Sequence, residues 1–166
     1  PPDKMSLSLE KAESLLSEHR WQEAEQIFSE ILESAPAHPA ALLGFIKCNL
    51  ALDRSEQSLA LIKKFPESRQ YVQAQNLIPA ASVMADQKND RIPIETDLDA
   101  AFANSIRLAR KGNILAAMDG LLDVLRQDRR YKSGAVRQIM LGLMELWGND
   151  SPQTRQYRSE LAAVLF

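Results

Sequence analysis

A small side chain followed four positions later by a large apolar one recurs along this chain at intervals of about 34 residues, and nothing else narrows the possible folds as far. Ala24 and Phe28 form the first instance, followed by Leu32 and Pro36, and Ser58 and Ile62 stand one period later. Ala117 and Leu121, with Val124 and Leu125, take the same roles in a pair of helices that opens near Leu98. Residues four apart share a helix face, so the small one lets a second helix cross closely while the large one fills the adjoining groove. Ala12 and Leu15 supply the matching small and large positions on the helix before Ala24. The final segment, 132–166, keeps helical length but lacks the signature.

Helical periodicity runs through the rest of the chain, and no segment alternates with the period of two that a half-buried strand needs. One helix is predicted from Leu7 to Leu16, and a second from Trp21 to Ser34 that buries Ala24, Ile27, Phe28, Ile31 and Leu32. Pro36 and Pro39 stop it, because proline lacks the donor and excludes a helical residue before it. A third helix carries Leu42, Phe45, Ile46, Asn49 and Leu52, and a fourth runs to Phe65 with Asp53 or Ser55 as its cap. Pro66 is expected to open the next, and Pro79 to kink or divide the segment 67–87. Thr96 or Asp97 caps a helix through Arg110, Gly112-Asn113 turns the chain, and helices follow over Ile114–Gln127 and Lys132–Trp147. Ser151, with Pro152 in the first helical position, starts the last one. The pattern resembles the tetratricopeptide repeat. It implies an all-α chain of about nine helices, in antiparallel pairs forming a right-handed superhelical array. The best internal boundary is Asn89-Asp90-Arg91-Ile92-Pro93, dividing residues 1–91 from 92–166 within one continuous repeat domain.

Charge and composition exclude several functions. The 20 basic and 22 acidic residues are interleaved and sum to −2, which leaves no electrostatic footprint for nucleic acid or anionic lipid. Aromatic residues make up 6% of the chain, too few for a base-stacking platform. No apolar run approaches the roughly 20 residues that span a bilayer. Cys48 is the single cysteine, so an internal disulfide is impossible and a reducing cytoplasm is the expected location. The opening Pro1-Pro2-Asp3, without an initiator methionine, reads as the cut edge of a longer protein.

The last third is more distinctive. The run Arg110-Lys111-Gly112-Asn113-Ile114, then Leu121 through Arg129, Gly134-Ala135-Val136-Arg137 and Leu143 through Gly148 lead to the ending Arg155-Gln156-Tyr157-Arg158-Ser159-Glu160-Leu161-Ala162-Ala163-Val164-Leu165-Phe166. These segments resemble the C-terminal repeat region of the bacterial thioredoxin-like co-chaperedoxins (YbbN/CnoX type). That resemblance implies a co-chaperone that holds unfolding client proteins and passes them to the chaperonin GroEL or the DnaK system. It also implies that the C-terminal helix contacts the chaperonin, and that a thioredoxin domain, absent from this sequence, precedes the repeats.

Candidate sites divide accordingly. Tyr157, Leu161 and Leu165 form an apolar stripe on the last helix, which either packs inward to cap the repeats or joins Arg155, Arg158 and Phe166 in a partner-binding face. A carboxylate clamp of the kind that grips acidic chaperone tails needs lysine, arginine and asparagine on the first helices. The corresponding positions hold Leu9, Glu13, Gly44, Asp99 and Ala103. Cys48 shares a face with Ala41, Phe45 and Leu52 and reads as a buried, inert thiol. His19 and His38 lack ligands at metal-binding spacing, Trp21 and Trp147 read as helix-end packing, and Glu23, Glu25, Glu30 and Glu33 as a solvated face. No catalytic constellation, cofactor cradle or metal set is expected. An architectural adaptor of an unrelated bacterial complex stands as the alternative to the co-chaperone. Enzymatic thiol exchange would need the upstream domain.

Overall fold

The computed structural model describes residues 3–166, so the expected cut edge at Pro1-Pro2 lies outside the described residues. Ten α-helices follow one another among them: α1 Lys4–Ser17, α2 Trp21–Ser34, α3 Pro39–Ala51, α4 Ser55–Lys63, α5 Tyr71–Asn76, α6 Ile78–Lys88, α7 Asp97–Arg110, α8 Ile114–Gln127, α9 Ala135–Trp147 and α10 Pro152–Leu165, with a 3-10 turn at Tyr131–Gly134 before α9. The described residues contain no strand. The count exceeds the expected nine because Pro79 divides the segment 67–87: α5 ends at Asn76, and α6 starts afresh with the proline in its first turn. There its missing N–H is one of those that the first turn of a helix leaves without an intrahelical partner anyway.

The chain forms two compact units, one up to Gln75 and the other from Asn76 to Phe166. The boundary foreseen at 91/92 falls inside the second unit, where α6 packs on both α7 and α9. In the first unit α2 packs between α1 and α3, and α4 follows on α3. In the second, α7 and α8 form the most extensive pair, and α8 also meets α9 and α10.

One backbone device recurs in both units. At the ends of α1, α3, α6 and α7 a single residue takes a left-handed conformation: His19 (φ 61°), Asp53 (φ 66°), Asp90 (φ 56°) and Gly112 (φ 85°). The next residue's N–H then reaches back to the helix, as Arg20 to the Leu15 carbonyl, Arg54 to Asn49, Arg91 to Asp86 and Asn113 to Leu108, at 2.8–3.0 Å. This satisfies carbonyls that the ending helix leaves without partners, a Schellman closure. It also corrects the capping expected for α4. Asp53 closes α3 instead, and Arg54 occupies the N-cap position without a side-chain capping bond. The Thr96 cap is present as a full box: the Asp99 N–H donates to Thr96 Oγ1 at 3.0 Å, and the Thr96 N–H to Asp99 Oδ2 at 3.2 Å. Ser151 caps α10 as expected, accepting from the Thr154 N–H at 3.1 Å.

Several helix bounds differ from expectation: α1 spans Lys4–Ser17, beyond Leu7–Leu16 at both ends, and α4 stops at Lys63, short of Phe65. Residues 66–70 form turns and α5 begins at Tyr71, so Pro66 does not open a helix. Lys132 and Ser133 have φ of 56° and 51°, which keeps them out of α9.

The repeat's packing logic holds at the crossings. Ala24 and Phe28 are fully buried, and the Phe28 ring lies where a side chain on Gly44 of α3 would be. Ser58 and Ile62 are buried one period on, the Ser58 hydroxyl donating within 3.2 Å of the Ile46 and Arg54 carbonyls. A small residue thus serves that crossing although it is polar. Ala117 and Leu121 are buried in the second unit, with Phe102, Ile106, Met118 and Leu122. The α6–α9 crossing rests on Gly142, whose missing side chain would stand 2.9 Å from Ala80 Cβ.

Candidate functional site

The last helix resolves into two faces. Pro152 and the Ser151 cap set its start, after which Thr154, Tyr157 and Leu161 point into the second unit and are buried. The Tyr157 hydroxyl lies 3.0 Å from the Leu115 carbonyl and 2.7 Å from Asp119 Oδ1, both on α8. Burial, and then the Asp119 carboxylate, push its phenol above the ordinary tyrosine range. Tyr157 and Leu161 therefore lie on the packing side of the stripe, and Tyr157 also borders a shallow surface depression with Asp119 and Gln156. Leu165 is half-buried, whereas Arg155 and Arg158 are exposed and Phe166 is 95% exposed. Arg158 donates to Asn149 Oδ1 at 3.2 Å, which steadies it beside the α9–α10 loop. Of the six residues named from sequence, Arg155, Arg158 and Phe166, with the edge of Leu165, make the accessible face.

The clamp positions are equally clear. Gly44 is buried against the Phe28 ring, and Ala103 is buried on α7. Asp99 belongs to the α7 cap and also accepts from the Tyr131 hydroxyl, contacts that hold its carboxyl below the usual range. Cys48 is fully buried with Ala12, Ala24, Phe28 and Ala41, and desolvation pushes its thiol up to about 12, far from a reactive thiolate. His19 is the left-handed turn residue, and its ring lies tilted at 53° to the Trp21 ring with centroids 5.4 Å apart. His38 caps α3, its Nδ1 accepting from the Ala41 N–H at 3.2 Å. The carboxylates of α2 are not uniformly solvated: Glu23 pairs with Arg20, while the half-buried Glu25 pairs with Arg54, which also donates to Asn49. Sequence reasoning missed that tie because its partners are separated by a whole helix.

Fold and exposed faces together define a helical-repeat protein of the kind that presents side chains to other proteins. Tetratricopeptide repeat models match residues 15–80 and 81–166, and the chain belongs to that family. Comparison with curated proteins gave no match. Tetratricopeptide repeats are protein–protein interaction modules and typically non-catalytic. No helix among the described residues is long and apolar enough to cross a membrane.

Proposed function

We propose that this chain is the repeat region of a co-chaperone of the co-chaperedoxin type, holding unfolding clients in the cytoplasm and handing them to GroEL or the DnaK system. Two things support the reading: the resemblance of the segment from Arg110 to Phe166, and the arrangement of α10. The observation that carries most weight is Phe166, almost wholly exposed at the end of a helix that Tyr157 and Leu161 fasten to the unit. Phe166 is the C-cap of α10, its N–H donating to the Ala162 carbonyl at 2.9 Å, and a docked partner would bury an aromatic side chain at that position. Arg155 and Arg158 add charge at the rim of the same helix.

The test is a surface variant, since removing Thr154–Phe166 would also remove the buried Thr154, Tyr157 and Leu161 and unfold what it was meant to probe. Arg155→Glu, Arg158→Glu and Phe166→Ala combined should leave the helical signal intact and abolish capture by purified GroEL. Undiminished capture by the folded triple variant would count against the α10 contact. No capture by the parent chain would favour the architectural adaptor.

A further inference from the structure

The end of α8 carries a second exposed feature that the reading above does not use. The α8 helix stops at Gln127, and Asp128 closes it, its N–H donating to the Val124 carbonyl. The Asp128 carboxylate then accepts from the Arg130 N–H at 3.0 Å, which turns the chain and directs Arg129 and Arg130 outward. The turn is anchored on its far side as well. The Tyr131 ring packs 5.7 Å from Phe102, its hydroxyl bonds Asp99, and the Lys132 ammonium sits 5.0 Å above the Phe102 ring. Residues 129 and 130 thus hang from a fixed frame, not a slack loop.

Beside them Val164 of α10 comes alongside Leu125, and between these aliphatic groups and the arginines opens a depression of roughly 520 Å³. Three guanidinium-bearing residues, Arg126, Arg129 and Arg130, face one carboxylate, Asp128. Arg126 is engaged by Asp123 at 2.9 Å, and Asp128 already accepts from backbone. Arg129 and Arg130 are therefore the groups that carry the local charge outward. Guanidinium forks match carboxylates, and the aliphatic floor suits a branched apolar side chain. The lining holds no aromatic ring on which a base could stack, and the chain's overall charge is negative, which disfavours a nucleic-acid strand.

We propose that the α8–α10 end is a protein-contact site for an acidic segment that also carries an aliphatic residue: Arg129 and Arg130 bind its carboxylates, and Val164 and Leu125 receive the aliphatic group. It rests on the family's protein-binding role and is independent of the chaperonin assignment. The probe is a fluorescein-labelled peptide of alternating glutamate and leucine, titrated with the chain and followed by anisotropy. A lysine–leucine peptide and an oligouridylate of equal length serve as competitors. Saturable binding of the glutamate–leucine peptide is expected, weakened about tenfold by Arg129→Ala with Arg130→Ala and weakened again by salt. Arg107→Ala with Lys111→Ala, on exposed positions of the α7 end, should bind as the parent does. Failure to bind the peptide, equal loss in both double variants, or tighter competition by oligouridylate would each overturn the proposal. None of these results involves GroEL, so they stand apart from the capture experiment on α10.

Discussion

Gly44→Ala should destabilise the first unit even though alanine is the better helix former. A Cβ at this position would stand 2.2 Å from Phe28 Cζ and 2.5 Å from both Cε atoms, against about 3.5–4.0 Å for ordinary carbon contacts. The ring cannot turn away, because Phe28 is fully buried among Ala12, Ala24, Ile31, Ala41 and Cys48. Relief must come from moving α2 and α3 apart, and overpacking of this kind costs about 1–3 kcal/mol. The gain in helix propensity offsets about 0.8–1 kcal/mol of that. The difference runs from near zero to about 2 kcal/mol, centred on about 1 kcal/mol, and with a urea slope of about 2 kcal/mol/M the midpoint should fall by roughly 0.5 M. Trp21 reports on the first unit and Trp147 on the second, so Trp21 fluorescence in a Trp147→Phe background isolates the transition. Phe28→Leu vacates part of the disputed space, so the pair should couple favourably by about 1 kcal/mol in a double-mutant cycle. A midpoint at or above the parent's, or additive behaviour of the two substitutions, would refute the view that glycine sets this crossing.

Cys48 should resist iodoacetamide in the folded chain and react once urea unfolds it. Its thiol is pushed up to about 12, whereas an unfolded cysteine titrates near 8.5. Its protonated form is therefore favoured by folding: that contribution is whole below about 8.5 and is lost as the pH rises from there toward the folded value. The urea midpoint of the parent should drop over that range more steeply than that of Cys48→Ala. Tyr157→Phe should cost about 0.5–1.5 kcal/mol in denaturant titrations of the second unit, by removing the hydroxyl shared with Leu115 and Asp119. It should leave GroEL capture unchanged, and lost capture with an intact fold would place Tyr157 in the contact after all. Thr96→Ala should cost about 1 kcal/mol in the same assay through loss of the α7 cap. Because Asp99 titrates below the usual aspartate range, the cap's contribution is present above the ordinary aspartate pKa and is lost as pH falls through the folded value; a cap equally strong in acid would contradict the reciprocal box.

Much of the scaffold was legible because helix pairs announce themselves through spacing. The bounds of α2 and α8 and the caps of α7 and α10 follow from apolar period, proline and serine or threonine at the right offsets. What stayed hidden is geometry that unlike residues share. Four helices end in the same left-handed closure, yet only Gly112 shows the residue type that advertises it, while His19, Asp53 and Asp90 adopt it without a glycine. The small crossing residue of α9 is Gly142, set against Ala80 of α6, and a crossing partner chosen by topology leaves no mark in local spacing. The stripe on α10 was visible as apolar, but which side of it faces inward depends on Asp119 and Leu115 of α8. The same limit applies to the depression at the α8 end, whose floor joins Leu125 to the distant Val164.

These hidden features also separate what builds the repeat from what distinguishes this member of the family. The buried small and large residues and the left-handed closures recur in both units and fix how helices cross. Phe166, Arg155, Arg158, Arg129 and Arg130 have no periodic counterpart in the pattern, are exposed, and lie on or beside elements held by non-periodic hydrogen bonds, Tyr157 to α8 and Tyr131 to Asp99. Repeated crossings supply rigidity without selecting a partner, because any tetratricopeptide chain shares them. Selection must then come from side chains that the repeat leaves unconstrained. On the readings proposed above, those side chains sit on the α10 stripe and the turn before α9, where the packing departs from its own period.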